Sequence, residues 1–195
     1  MLLAAGRAVR FGADKLLAPL PAHDDIEAGT PVAVAACRHL LAATPAVLAV
    51  VRPGADELAA HLGACGARVA PCPSAEQGMG ASLACAIAAA SDADGWVIAL
   101  ADMPWITVAT IRAVVDALAA GAAIAVPVIG GVRGHPVGFA RPFGATLRRL
   151  GGDQGAKAVL AANAHAIRAI EVEDRGILRD IDVPSDLLGC RRREP

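Results

Sequence analysis

Three positively charged residues and two glycines stand close together near the start of the chain. Residues 3–15 read Leu-Ala-Ala-Gly-Arg-Ala-Val-Arg-Phe-Gly-Ala-Asp-Lys. Gly6 and Gly12 would expose backbone N–H groups to an anion, and Arg10 and Lys15 would add two full positive charges. The pattern indicates a phosphate-binding loop, although a surface turn with two solvated cations would have the same composition. The spacing matches neither G-x-x-x-x-G-K-[ST] nor G-x-G-x-x-G, which disfavours a P-loop enzyme and a dinucleotide-dependent oxidoreductase.

A single carboxylate follows an apolar run in the middle of the chain. Residues 96–100 are all apolar, and Asp102 comes next within Ala-Asp-Met-Pro. A carboxylate at the mouth of a buried strand is costly unless it is paired or bound to a cation. Mg²⁺ typically takes one or two protein carboxylates together with phosphate oxygens and water. Asp102 is therefore a candidate Mg²⁺ ligand, with the capping of a helix as the alternative role.

Composition limits the classes of partner. The chain has 195 residues, 18 Lys and Arg against 19 Asp and Glu, 55% hydrophobic residues and 19% charged residues, which excludes a disordered chain. Aromatic residues make up 3% and tyrosine is absent, so the stacking platforms of a single-strand nucleic-acid binder are missing. With a net charge of −1, we expect no nucleic-acid partner.

We also expect a cytoplasmic protein that does not enter a membrane. Polar residues, glycine or proline interrupt the longest apolar stretches, and the first residues lack the basic region of a signal peptide. Five cysteines form no C-x-x-C pair, and five histidines show no zinc-binding spacing. We therefore expect reduced cysteines and no structural zinc.

Short apolar runs alternate with helix-length, alanine-rich segments. We predict helices at 30–43, 55–64, 80–90 and 154–162, a further one after the N-cap Thr107, and strands at 1–4, 46–51, 67–70, 96–100 and 123–128. Continuous apolar strands are typical of a parallel sheet covered on both faces. The pattern predicts one doubly wound, mostly parallel α/β domain over residues 1–195. Its site should lie beyond the carboxyl ends of the strands, where both segments described above would end.

The segment 3–15 resembles the L-A-A-G-x-S-x-R-x-G-x-x-K signature of the molybdenum-cofactor cytidylyltransferase and guanylyltransferase family. Five more motifs of that family follow in order: Gly-Met-Gly-Ala-Ser-Leu at 78–83, Ala-Asp-Met-Pro at 101–104, Gly-His-Pro at 134–136, Gly-Asp-Gln-Gly-Ala-Lys at 152–157 and Asp-Ile-Asp-Val-Pro-Ser-Asp-Leu at 180–187. The family serine of the first loop is Ala8 here, and the first strand is short. The resemblance implies a GT-A-like, Rossmann-like nucleotidyltransferase fold.

The resemblance also implies a role for individual residues. The nucleotide would be bound by Leu3, Ala4, Ala5, Gly6, Gly12, Arg52, Pro73, Gly78, Gly80 and Ser82. Arg10, Lys15 and Asp102 would be the catalytic residues, and Asp102 and Asp182 the Mg²⁺ ligands, with Asp180 as the alternative to Asp182. The acceptor would be bound by His135, Asp153 and Lys157, for which a turn hydrogen bond, a helix N-cap and an exposed helical position are the respective alternatives.

The implied reaction is attack by the terminal phosphate of molybdopterin on the α-phosphorus of CTP, with release of pyrophosphate. Ala5 makes the run Leu-Ala-Ala-Gly, as in the cytidine branch, rather than the L-A-G-G of the guanosine branch. A molybdoenzyme or its chaperone would be a transient partner. The alternatives are GTP, another phosphorylated acceptor, or a non-catalytic carrier of molybdopterin, which Ala8 and the short first strand would favour.

Overall fold

A computed structural model describes residues 1–6, 11 and 14–188. Its strands are β1 (Leu2–Ala4), β2 (Leu48–Val51), β3 (Arg68–Pro71), β4 (Gly95–Leu100), β5 (Ile124–Ile129), β6 (Val132–Arg133), β7 (Val137–Ala140) and β8 (Ile167–Glu171). Its α-helices are α1 (Val32–Ala43), α2 (Asp56–Ala64), α3 (Met79–Ala89), α4 (Val108–Ala119), α5 (Gly144–Leu147) and α6 (Lys157–Ala162). Across the described residues, no helix has both the length and the apolar character needed to span a bilayer.

All eight strands belong to one sheet in the order β3-β2-β1-β4-β7-β5-β6, with β8 beside β5. Strands β3, β2, β1 and β4 are parallel, as the continuous apolar runs predict. The second half is mixed, because β7 is antiparallel to both β4 and β5, whereas β8 is parallel to β5. The α/β fold class is confirmed, and its parallel half brings the carboxyl ends of four strands to one edge.

Helices cover both faces of this sheet. Side chains of successive strand residues alternate between two cores: on β2, Ala49 and Val51 face the core formed with α1, α2 and α4, whereas Leu48 and Val50 face the core formed with α3, α5 and α6. Large residues fill both cores, among them Leu40, Leu62 and Val114 in the first and Leu83, Ile87 and Leu147 in the second. This arrangement is the predicted double winding.

The helix predicted at 154–162 is shorter than expected. It begins at Lys157, because Gly152 and Gly155 adopt positive φ angles of 65° and 53° that interrupt a helix. Ala156 is therefore the N-cap, and the interpretation of Asp153 as an N-cap is wrong. By contrast, Thr107 caps α4 as predicted, since its side chain accepts a hydrogen bond from the Thr110 N–H.

Residues 172–188, which we call the C-terminal segment, return from β8 to the carboxyl end of β4. Ile177 and Ile181 are completely buried in the core. The Asp174 carboxylate accepts hydrogen bonds from the Thr107 N–H and hydroxyl, the Thr110 hydroxyl and the Gly176 N–H. The Ile181 N–H donates to the Asp102 carbonyl at 2.9 Å. These contacts fix the acids of the C-terminal segment beside the end of β4.

Candidate active site

A cavity of about 830 Å³ opens at the carboxyl ends of the four parallel strands. Each strand contributes residues at or just beyond its end: Leu3, Ala5 and Gly6 from β1, Arg52 and Pro53 from β2, Pro73 from β3, and Leu100 and Asp102 from β4. This is the position at which open α/β sheets bind ligands. The helix α3 and the loop before α6 complete the walls through Met79, Ser82 and Asp153.

Three carboxylates converge at one end of this cavity. Asp102, Asp180 and Asp182 each offer a ligand oxygen, and these oxygens lie within 4.8 Å of one another. Asp102 is partly buried and the other two are exposed. We call these three residues the acidic cluster. Hard carboxylate oxygens at this spacing fit a divalent cation such as Mg²⁺ or Mn²⁺, so Asp180 and Asp182 are both placed to bind it.

Lys15 joins two members of the acidic cluster. Its ammonium Nζ lies 2.8 Å from Asp102 Oδ2 and 3.1 Å from Asp182 Oδ1, and its side chain is only 12% exposed. Burial by itself would lower the pKa of Lys15, but the hydrogen bonds and negative charges of the two carboxylates outweigh it and raise the pKa. Lys15 therefore stays positively charged at neutral pH, where it faces the cavity.

The Arg52 side chain contacts Gly6 and Asp14, which lie at the two ends of the segment that leads from β1 to Lys15. Its guanidinium donates to Asp14 Oδ2 at 2.7 Å and to the Gly6 carbonyl at 3.2 Å. The other Asp14 oxygen accepts the Leu16 N–H and so caps the short 3₁₀ helix Lys15–Leu17. Arg52 thus connects two points of the loop across the end of β2. Arg10 and Gly12, both predicted to contact phosphate, lie outside the described residues.

The predicted glycines at the start of α3 serve close packing. Gly78 has a φ of 107°, and a Cβ there would collide with Asp153 and the Gly152 backbone. The Gly80 N–H donates to the Gly152 carbonyl at 2.8 Å, and Gly80 does not line the cavity. The loop before α6 therefore lies directly on α3, which brings Asp153 to the cavity wall beside Ser82.

Three of the predicted site residues, Ala4, Lys157 and His135, do not line the cavity. Ala4 is 1% exposed and belongs to the hydrophobic core, so its side chain does not reach the cavity. Lys157 is exposed on the first turn of α6. His135 does not line the cavity either, and its Nδ1 is buried without a hydrogen-bond partner among the described residues.

The electrostatic surroundings of His135 link it to the acidic cluster. Burial lowers the pKa of His135 and outweighs the Ile98 carbonyl and the negative charges of Asp102 and Asp180, which act in the opposite direction. The nearby charge of Lys157 lowers the pKa further. His135 is therefore a neutral side chain behind the acidic cluster at pH 7.

Sequence reasoning missed seven residues of the cavity wall, of which Asp14, Glu76 and Met79 have polar or long, flexible side chains. The other four are Leu16, Pro53, Ala75 and Leu100. Asp14 had a signal in its position beside Lys15 within the loop. Met79 had a signal in the motif Gly-Met-Gly-Ala-Ser-Leu at 78–83, where it is the first residue of α3. Glu76 had none, because the short 3₁₀ helix Ala75–Gln77 carries no motif of its own.

The model of the MobA-like NTP transferase domain family matches residues 1–167. The chain belongs to this family. Membership in this nucleotidyltransferase family is consistent with the cavity, where the positive charge of Lys15 lies beside carboxylates that fit a divalent cation. Asp180 and Asp182 lie beyond the matched residues, so the C-terminal segment supplies two members of the acidic cluster from outside the part of the chain that the family model covers.

The chain is similar to two bacterial proteins, one of them known in two structures. The purine catabolism protein PucB of Bacillus subtilis (strain 168) is 34% identical over 124 residues, which are 62% of this chain and 60% of PucB. The chain thus matches less than two thirds of the length of that relative. The crystal structure of Rv0371c from Mycobacterium tuberculosis H37Rv is 30% identical with a TM-score of 0.80, and the match covers 96% of this chain and 94% of Rv0371c.

A second structure of Rv0371c is a complex with manganese. It is 28% identical to this chain with a TM-score of 0.73, and the match covers 95% of this chain and 92% of that one. A related protein of the same fold therefore binds a divalent cation, and the acidic cluster is a group of residues in this chain that fits such an ion.

Proposed function

We propose that this protein transfers CMP from CTP to the terminal phosphate of molybdenum cofactor, with Mg²⁺ as its cation. The observation that carries the proposal is the convergence of Lys15 and the acidic cluster at a cavity that Lys15 and Asp102 line. The loop before Lys15 is the one that the sequence resemblance assigns to the nucleotide. A positive side chain and a divalent-cation ligand set are what a triphosphate requires. The cavity volume of about 830 Å³ is within the range of small-molecule sites.

In the proposed reaction an oxygen of the acceptor phosphate forms a bond to the α-phosphorus of CTP. The bond between that phosphorus and the oxygen leading to the β-phosphorus breaks, and pyrophosphate leaves with the electron pair. The attacking phosphate is already anionic at neutral pH, so no general base is needed. The protein must instead align two anions that repel each other and neutralise the charge that develops on the leaving group.

The residues of the site have distinct tasks in this proposal. Asp102, Asp180 and Asp182 would hold Mg²⁺, which supplies charge neutralisation and orientation of the triphosphate when bound. Lys15 and Arg10 would contact the phosphates. Arg52 would support Lys15 through its hydrogen bonds to Asp14 and Gly6. Leu3, Ala5, Gly6, Pro73, Gly78 and Ser82 bound the space for the base and ribose. The acceptor approaches from the side of Asp153, Lys157 and His135.

Ala5 supports CTP over GTP. It is 5% exposed and lines the cavity directly after β1. A methyl group at this position narrows the space beside the backbone, which favours the smaller pyrimidine ring over a purine.

The similarity to PucB favours a second candidate within the same enzyme class. PucB is named as a purine catabolism protein, so the second candidate is a nucleotidyltransferase that serves purine catabolism with a different nucleotide or acceptor. Both candidates use the same cation site and differ in the two substrates.

Release of pyrophosphate tests the proposal. The purified protein is incubated with each nucleoside triphosphate, Mg²⁺ and molybdopterin, and we expect release with CTP. The Asp102→Asn variant should lose roughly 10²–10³-fold in rate, as is usual when a preorganised charge is removed. Asp116→Asn is the matched control, because Asp116 is exposed on α4 and does not line the cavity.

Three results would contradict the proposal. Release of pyrophosphate with GTP but not CTP, or only with another phosphorylated acceptor, would favour the second candidate. Binding of molybdopterin without any consumption of nucleotide would identify a non-catalytic carrier. Full activity of Asp102→Asn would show that Asp102 is not a ligand of the cation.

A further inference from the structure

Lys15 binds two of the three carboxylates that would hold the divalent cation. Its ammonium lies 2.8 Å from Asp102 Oδ2 and 3.1 Å from Asp182 Oδ1, so it binds two of the three residues of the acidic cluster at once. Without a positive charge between them, carboxylates with oxygens within 4.8 Å of one another would repel. Lys15 therefore acts as the counter-ion of the cluster in the structure described here.

Simultaneous binding of Mg²⁺ and the Lys15 ammonium to the same carboxylates is opposed by the repulsion between the two cations. Mg²⁺ lies about 2.0–2.1 Å from its ligand oxygens. An ammonium that kept its hydrogen bond to the same carboxylate would then lie within about 5 Å of the divalent ion, where the repulsion between the two positive charges is strong. Binding of the metal and the present position of Lys15 are therefore in competition.

The side chain of Lys15 can move, whereas its backbone is held in place. The backbone at this point is fixed by the Asp14 cap on the Leu16 N–H, by the ion pair between Arg52 and Asp14, and by the buried Leu16 side chain. The lysine side chain, by contrast, is a flexible stem that carries a point charge. It also lines the cavity, so its ammonium can move from the carboxylates towards an anion in that cavity without a change in the loop.

We propose that Lys15 is an internal counter-ion that the divalent cation displaces, and that the freed ammonium then binds the phosphates of the nucleotide. This inference rests on the proposed function, since it requires the acidic cluster to be the cation site. It adds that Lys15 opposes binding of the metal alone and favours binding of the metal together with nucleotide. Removal of its charge must therefore change the two affinities in opposite directions.

The test has two measurements. Electron paramagnetic resonance measures the binding of Mn²⁺ without nucleotide, and calorimetry measures the binding of CTP at saturating Mn²⁺. Without nucleotide, Lys15→Met should bind Mn²⁺ about tenfold more tightly than the wild type, because the two charge-assisted contacts of Lys15 no longer compete. At saturating Mn²⁺, the same variant should bind CTP about tenfold more weakly. Lys15→Gln, which is also uncharged but polar, should repeat both changes and guards against a folding defect of Lys15→Met.

Two control variants separate charge at this position from charge in general. Arg112→Met removes a positive charge that is exposed on α4, donates to the Ala42 carbonyl and does not line the cavity. It should bind Mn²⁺ alone as the wild type does. Lys15→Arg keeps the positive charge and should show no tightening.

The outcomes distinguish this inference from the proposed function. If the wild type binds Mn²⁺ and the uncharged variants bind it with equal or lower affinity, Lys15 does not compete with the metal and the inference is wrong, while the cation site remains. If neither the wild type nor the uncharged variants bind Mn²⁺ with or without CTP, the acidic cluster is not the cation site, and both the inference and that part of the proposed function fail.

Discussion

At the scale of single residues, one methyl group lies at the wall of the nucleotide cavity. Ala5 belongs to the second core and also lines the cavity, whereas its neighbour Ala4 belongs to the first core and does not line the cavity. Ala5→Gly should widen the space beside the base and raise the ratio of kcat/KM for GTP to that for CTP by at least roughly tenfold, the usual effect of one carbon in a binding pocket. Steady-state kinetics with both nucleotides measure this ratio.

Ala4→Gly is the matched control for that substitution. It removes the same methyl group one residue earlier, on the core side of β1, and should lower the free energy of unfolding by about 1 kcal/mol without changing the nucleotide preference. An unchanged preference in Ala5→Gly would mean that the base binds elsewhere in the cavity.

His135 makes stability depend on pH. Its pKa is lowered in the folded protein, chiefly by burial, so below about pH 6.5 the unfolded chain takes up a proton that the folded chain does not. The free energy of unfolding should therefore fall as the pH drops from 7.5 to 5.5. Urea unfolding at several pH values should show a smaller fall for His135→Gln than for the wild type.

His165→Gln is the control variant for this prediction of pH dependence. His165 is exposed near the start of β8, and His165→Gln should keep the pH dependence of the wild type. Equal slopes for the wild type and His135→Gln would show that His135 does not resist protonation in the folded protein.

At the scale of elements, α3 and the loop before α6 fit together because Gly78 and Gly80 lack side chains. Gly78→Ala would place a Cβ against Asp153 and Gly152, at a φ of 107° that L-residues rarely adopt. We expect a loss of about 1–3 kcal/mol in the free energy of unfolding. Chemical denaturation measures it, and the displacement of Asp153 should also weaken nucleotide binding.

Gly63→Ala offers a comparison within a regular helix. Gly63 lies in α2 with open space around its α-carbon, so alanine there should raise the free energy of unfolding by about 0.5–1 kcal/mol. Equal effects of the two substitutions would contradict the close packing of α3 against the loop.

Most elements of the first two thirds of the chain were predictable from sequence within one or two residues. The strands there are continuous apolar runs and the helices are alanine-rich, so burial on both faces is visible in the residue types. The start of α6 was not predictable in this way, since it depends on the positive φ angles of Gly152 and Gly155. The antiparallel insertion of β7 between β4 and β5 was also missed, because composition carries no strand direction.

The site was predictable in its residue types but not in its pairings. Lys15 and Asp102 stood out as a cation and an acid at predicted strand ends. The contact between Lys15 and Asp182 joins residues 167 positions apart, and the brace between Arg52 and Asp14 joins two different loops. Such contacts depend on the order of the strands in the sheet, which no local pattern specifies.

At the scale of the whole molecule, the acidic cluster joins the end of β4 to the C-terminal segment. A divalent cation bound there should stabilise the folded state, by about 2.7 kcal/mol at a concentration 100 times its Kd. For a chain of this size we expect a rise in Tm of about 5–10 °C. Differential scanning calorimetry with Mg²⁺ or Mn²⁺, and with a chelator, measures the rise.

The site-specific part of that stabilisation should depend on the carboxylates. Asp102→Asn should lose most of the increase in Tm, and Asp116→Asn should keep it. A full increase in Asp102→Asn would mean that the ions stabilise the protein at another position.

The origin of the acidic cluster in two distant parts of the chain has a consequence for biosynthesis. A ribosome releases the loop with Lys15 and the end of β4 well before it has translated Asp180 and Asp182. A nascent chain at that stage exposes one of the three donors without the other two. The complete set of three carboxylates proposed to hold the cation can therefore form only after residues 180–182 have emerged.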